Sequence, residues 1–203
     1  MAAPVTANSG ASRQALFDAG QIMRAVACAD RFALLDLALR SRFRPGLVLE
    51  FGVFEGGSLR FIAEHCGGTA HGFDSFEGLP EDWRPGFPKG AFAGGPSRAM
   101  PPNVEIHAGL FENMLPAFLD THRAPIAFLH VDCDLYRSTR TVLDLCADRL
   151  VPGTVIVFDE YCGYPEWREH EHKAFAEFLI QAKRTSRLLG LVEHGEQAAF
   201  VLA

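Results

Sequence analysis

Apolar residues recur at helical spacing from Arg13 to about Phe43: Leu16, Ile22, Met23 and Val26, then Phe32, Leu34, Leu35, Leu37 and Leu39. This pattern predicts two amphipathic helices, interrupted near Cys28–Asp30, with Asp30 as a cap for the second. After Pro45-Gly46 the rhythm changes, and short apolar runs alternate with helical stretches. The runs predict strands over Leu47–Phe51, Ala70–Phe73, Val104–His107, Ile126–Val131 and Val155–Phe158. Helices are expected over Ser58–Cys66, Glu112–Leu119, Ser138–Leu150 and a long stretch from about Trp167 to Ser186. Gly190–Glu193 and Ala198–Leu202 read as a closing hairpin around His194-Gly195-Glu196.

The central strands are apolar without alternation, which is the signature of strands covered on both faces. Together these elements predict an α/β fold: a doubly wound, mostly parallel sheet of seven strands with helices added at the N-terminal end. In such sheets a ligand sits beyond the carboxyl ends of the strands. Four of the five turns that follow the central strands carry an acidic residue. Residues 1–12 read as a flexible tail and 13–203 as a single domain, with 13–43 as its N-terminal helices. Residues 78–103 are rich in Pro and Gly and lack a regular pattern. Their aromatic residues Trp83, Phe87 and Phe92 favour a lid loop over a floppy insertion.

Composition narrows the classes. The chain has 203 residues, 48% of them hydrophobic and 22% charged, with a net charge of -6, so it is a globular chain with no basic stripe for nucleic acid or anionic membrane. No apolar run reaches membrane-spanning length, and the first residues lack a secretory h-region. The five cysteines form no C-x-x-C pair, which fits free thiols in a reducing cytoplasm.

The first central strand runs into Leu49-Glu50-Phe51-Gly52-Val53-Phe54-Glu55-Gly56-Gly57-Ser58. Strand, glycine turn and helix suit a nucleotide-like ligand. A dinucleotide fingerprint needs a glycine where Phe54 stands, which counts against NAD or FAD. Glu50-x-Gly52-x-x-x-Gly56 instead matches the first motif of class I S-adenosylmethionine methyltransferases, whose ligand carries two cationic groups that acids favour. A ligand-free β-α turn is the plain alternative. Asp74 ends the second central strand 22 residues past Gly52, the spacing of an acid that accepts ribose hydroxyls.

Asp132 and Asp134 follow the fourth of these strands, and Asp159 and Glu160 follow the fifth. Carboxylates crowded at one sheet edge repel unless a cation or proton is shared, and Mg²⁺ or Mn²⁺ is the natural occupant. Asp132, Asp159 and Glu160 are the candidate ligands. Asp134 falls on the opposite face of a continued strand, and pairing of the acids with Arg137 and Arg140 is the alternative. His130 reads as a core residue, and His170 and His172 as solvated helix side chains, with a substrate contact or a base role as the alternative for either.

Taken together, GFDSFEGLPE (72–81), HVDCDLYRSTRTVL (130–143) and LVPGTVIVFDEY (150–161) resemble the macrocin O-methyltransferase family. That resemblance spans Leu47 to about Phe178 and implies a Rossmann-like class I methyltransferase that uses S-adenosylmethionine and usually Mg²⁺. It assigns Glu50, Gly52, Ser58, Asp74, Ser75 and Gly109 to Phe111 to the cofactor. It makes Asp132 the first metal ligand and a general base, Asp159 the second ligand, and Glu160 the occupant of a position where relatives have Asp. The acceptor it implies is a small-molecule hydroxyl on a sugar or natural product. An NAD(P)-dependent oxidoreductase and a non-catalytic S-adenosylmethionine-binding protein stay open as alternatives. The apolar N-terminal helices allow a homodimer or a cover for the sheet within one chain.

Overall fold

A computed structural model describes residues 25–203. Its single sheet has eight strands in the order β1-β7-β8-β6-β5-β2-β3-β4, one strand more than expected. The strands are β1 (Val26–Cys28), β2 (Leu47–Phe51), β3 (Ala70–Asp74), β4 (Val104–Ala108), β5 (Ile126–Val131), β6 (Val155–Phe158), β7 (Ser186–Val192) and β8 (Ala198–Leu202). All neighbouring pairs are parallel except those made by β8, which runs antiparallel to β6 and β7. The helices are α1 (Arg31–Arg40), α2 (Gly57–Cys66), α3 (Phe111–Thr121), α4 (Tyr136–Cys146) and α5 (Glu171–Gln181).

Two apolar layers sandwich the sheet. One joins Leu34 and Leu35 of α1 and Leu59 and Ile62 of α2 to Val48, Phe128 and Val157. The other joins Leu115, Val142, Phe175 and Phe178 of α3, α4 and α5 to Leu49, Phe73, Leu129 and Phe158. Successive strand residues point to opposite layers, so both faces of β5 and β6 are buried and their sequences show no alternation. The chain leaves β2 toward β3 and β4 on one side and returns to β5 and β6 on the other. A crevice therefore opens above β2 and β5, where the strand order reverses.

Three elements differ from expectation. The gap near Cys28–Asp30 holds strand β1, which pairs with β7 and is too short for a periodic signal. The first of the two expected helices lies mostly outside the described residues; the second is α1, and Asp30 caps it by accepting from Ala33 N at 2.9 Å. The long terminal helix is split. A 3₁₀ turn at Trp167–Glu169 ends at His170, whose φ of -112° and ψ of -125° are not helical, and α5 begins after it. Lys183, at a φ of 52°, then turns the chain into β7, which starts at Ser186 instead of Gly190.

Residues 78–103 contain no helix or strand, as expected, yet they carry more internal structure than their composition indicates. Leu79 N donates to Ala91 O and Gly90 N to Leu79 O, at 2.8 and 2.9 Å. Trp83 is buried against Phe87 and Tyr164. The Arg84 guanidinium stacks 3.9 Å above the Trp83 ring and holds both oxygens of Glu196 at 3.0 Å.

Candidate active site

The crevice is a cavity of about 650 Å³. Its floor is the glycine loop after β2. Gly52 has a φ of 94°, and a Cβ there would overlap the Asp132 carbonyl, so only glycine lets the turn after β2 pass this close to the backbone that leaves β5. Gly56 has a φ of 78° and stands directly before α2. The loop's shape is fixed from β3. Asp74 Oδ2 accepts from Val53 N and Phe54 N, and Oδ1 accepts from Phe76 N, all at 2.8 Å. Asp74 is thus a brace for the loop as well as a wall of the cavity.

Of the residues expected to contact the cofactor, Gly52, Ser58, Asp74, Ser75, Gly109 and Phe111 line this cavity. Ser75 also accepts from Glu77 N at 3.2 Å, and the Phe111 ring packs edge-on against Phe51 at 5.2 Å. Glu50 is placed differently from the expectation. It is absent from the lining and fully buried, because β2 turns its side chain sideways to the neighbouring strand. There Glu50 Oε1 meets His130 Nδ1 at 2.8 Å, and the two residues are register partners on β2 and β5. His130 Nε2 lies 3.7 Å from Asp159 Oδ1. Burial alone would push the His130 imidazolium toward the neutral form. The nearby Asp159 carboxylate, the hydrogen bond with Glu50 and the charges of Glu50 and Asp132 outweigh it and raise His130 to about 10.

Opposite the glycine loop, Asp132, Asp134, Asp159 and Glu160 share one wall. Asp132, Asp134 and Glu160 each offer one oxygen within 4.8 Å of the others, and a ring nitrogen of His130 lies within the same distance of one oxygen each from Asp132 and Asp159. Asp134 therefore joins the cluster, contrary to the face expected for it. The strand ends at Val131, and a φ of 62° at Asp134 swings its carboxylate back. Burial first, then the charge of Asp159, holds Asp132 well above the usual carboxylate range, and the same two effects act on Glu160. Asp134 is pushed up to about 7, again by burial. Asp159 stays low despite burial, because His130, Arg31 and Gln197 surround it. Arg31 reaches it from α1 at 3.6 Å, and Gln197 Nε2 donates to it at 3.3 Å.

The donor set fits a hard divalent cation. It is built of oxygens, it is crowded enough to keep neutral acids without a counter-charge, and Asp159 Oδ1 and Glu160 Oε2 are buried without a hydrogen-bond partner. The Glu160 backbone is fixed by the buried Glu171, which accepts from Glu160 N at 3.0 Å.

Arg31 and Glu171 escaped the sequence reading, because nothing local ties α1 or α5 to the ends of β5 and β6. Glu50 and His130 could have been paired from sequence. Each is the single titratable residue of an otherwise apolar central strand, and each needs a buried partner. His170 and His172 do not line the cavity. His172 packs against Trp167 and Tyr161, and His170 against Trp83 and Tyr164.

Residues 49–161, more than half of the chain, match the family described as Methyltransferase domain. The chain belongs to this methyltransferase family. It is also similar to the 8-demethyl-8-(2,3-dimethoxy-α-L-rhamnosyl)-tetracenomycin-C 4'-O-methyltransferase of Streptomyces olivaceus, at 32% identity over 58% of this chain. That match spans only about half of the relative, 53% of its length. Among solved structures, a calicheamicin methyltransferase superposes with a TM-score of 0.66 at 24% identity, over 85% of this chain and 80% of the other. A methyltransferase from the mycinamycin biosynthetic pathway, solved with Mg and SAH, superposes with a TM-score of 0.54 at 17% identity, over 82% of this chain and 47% of the other. These two likenesses establish the class I methyltransferase fold of the chain.

Proposed function

We propose that this methyltransferase transfers the methyl group of S-adenosylmethionine to a hydroxyl of a sugar or sugar-bearing natural product, with a divalent cation at the carboxylate wall. The observation that carries the reading is the arrangement of one cavity, with a braced glycine loop on one side and four carboxylates on the other. Methylation of a rhamnosyl group by the Streptomyces olivaceus relative supports the sugar acceptor. The Mg and SAH in the mycinamycin-pathway enzyme support the two cofactors.

S-adenosylmethionine supplies an electrophilic sulfonium methyl, and Mg²⁺ or Mn²⁺ supplies a charge that makes a nearby hydroxyl more acidic. The residues supply the positions. Gly52, Gly56 and Ser58 leave room for the methionine end of the cofactor, and Asp74 and Ser75 face its ribose. Gly109 and Phe111 border its adenine. Asp132, Asp134, Asp159 and Glu160 hold the cation, and Asp132 takes the proton of the acceptor hydroxyl. Direct displacement needs the acceptor oxygen in line with the methyl group, so most of the acceleration comes from orientation and exclusion of water. Residues 78–103 close over the reactants, and Arg84 and Trp83 anchor them.

Transfer of isotope from methyl-labelled S-adenosylmethionine to a panel of rhamnosylated acceptors, with and without chelator, tests this reading. Labelled methyl ether that disappears with chelator and returns with Mg²⁺ or Mn²⁺ is expected. Undiminished transfer in excess chelator would remove the cation from the mechanism.

A further inference from the structure

A second cluster of ligating atoms lies on the edge strands β3 and β4, outside the cavity. His71 and Glu105 are register partners there, as are Phe73 and His107. Alternate residues of neighbouring strands share a face, so His71, Glu105 and His107 point the same way. His71 Nδ1 stands 3.3 Å from His107 Nε2 and 3.4 Å from Glu105 Oε2. All three atoms fall within 4.8 Å of one another.

Donor atoms at about 2.0–2.2 Å from a tetrahedral zinc ion are separated by about 3.3–3.6 Å along the tetrahedron's edges. The two short spacings of the cluster match that edge. Both rings are held in advance by packing. His71 is buried and sits edge-on to Phe118 at 4.9 Å, and His107 stacks on Phe73 at 4.5 Å with an 18° tilt. His71 Nδ1 and His107 Nε2 share a hydrogen bond, and in the tautomer that places the proton on the far nitrogen each ring offers a lone pair beside the Glu105 carboxylate. The Glu105 side chain is 57% exposed, which gives an ion and a completing water a route in.

We propose that His71, Glu105 and His107 bind a divalent transition-metal ion of imidazole preference, zinc foremost, with water in the remaining position. Two imidazoles and one carboxylate suit such an ion better than Mg²⁺, which prefers oxygen alone. The site is separate from the carboxylate wall. It ties β3 to the exposed edge strand β4 a short way below Asp74 and Gly109, where these strands enter the cavity. Its role is to clamp that edge.

Calorimetric titration of the full chain with zinc chloride, in excess magnesium chloride to fill the carboxylate wall, tests the proposal. Cobalt spectra read the coordination in parallel. One zinc ion per chain is expected, with intense visible cobalt bands and a raised melting temperature. Affinity should fall at least tenfold in His107→Ala and in Glu105→Gln. The second variant changes a largely exposed side chain and so guards against a mere folding defect. Unchanged zinc affinity in folded Glu105→Gln and His107→Ala proteins would overturn the site, as would loss of zinc binding only in Asp134→Asn.

Discussion

Glu50 Oε1 lies 2.8 Å from His130 Nδ1, and neither side chain is exposed to solvent. The pair joins β2 to β5 directly beneath the cavity, and His130 faces Asp159 with its other nitrogen. Glu50 is thus linked to the site through His130, whose Nε2 stands 3.7 Å from Asp159 Oδ1. Removing one partner of a buried ion pair leaves the other uncompensated, at a cost of about 3–5 kcal/mol. Glu50→Gln is expected to lose stability of that order in urea unfolding. A loss under about 1 kcal/mol would mean that water or another group takes over the pairing.

The same pair marks the boundary of what the sequence displays. The parallel sheet, its helices and the turns that carry Gly52, Asp74, Asp132 and Asp159 follow from apolar runs and glycine positions, because burial on both faces writes itself into composition. The direction of Glu50 does not, since a motif places an acid near a ligand without saying which way its side chain leaves the strand. Asp134 is hidden for a related reason. A single left-handed residue reverses its face, and Asp carries no unique mark of that conformation. Strand β1 and the break at His170 rest on tertiary pairing, which overrides local periodicity.

Asp134 belongs to the carboxylate wall, so Asp134→Asn should weaken Mn²⁺ binding at least tenfold. Asn tolerates the left-handed backbone, and the fold should survive. Electron paramagnetic resonance of free Mn²⁺ reads the loss, and binding of S-adenosylhomocysteine should be retained. Unaltered Mn²⁺ affinity would exclude Asp134 from the ligand set.

The Arg84–Glu196 pair fastens residues 78–94 to the β7–β8 turn. The ion pair and the stacking of Arg84 on Trp83 are worth about 1–2 kcal/mol together. Arg84→Ala should raise hydrogen exchange in this segment roughly 5–30-fold, and S-adenosylhomocysteine should restore part of the protection. Exchange identical to wild type would show that Trp83 and the segment's own backbone bonds hold it without Arg84.

His172 gives a pH signature. Burial, assisted by Arg168, lowers it from 6.5 to about 4 in the fold. The unfolded chain therefore takes up this proton first as pH falls, and the contribution of neutral His172 is lost between about pH 6.5 and pH 4. His172→Phe should flatten the decline in unfolding free energy across that window and leave the slope above pH 7 unchanged. Parallel pH profiles for variant and wild type would show that His172 titrates normally.

Calorimetry on the wild-type chain and on Asp74→Ala decides whether S-adenosylmethionine binds in the cavity above β2 as proposed. Asp74 braces Val53 and Phe54 and lines the cavity where the ribose is proposed to lie, and hydrogen bonds to a charged acceptor contribute roughly 1.5–3 kcal/mol each. One S-adenosylmethionine per chain is predicted, with affinity falling at least tenfold in a folded Asp74→Ala protein and no heat from NADH. Equal affinity in the two proteins, or binding of NADH in place of S-adenosylmethionine, would contradict the account.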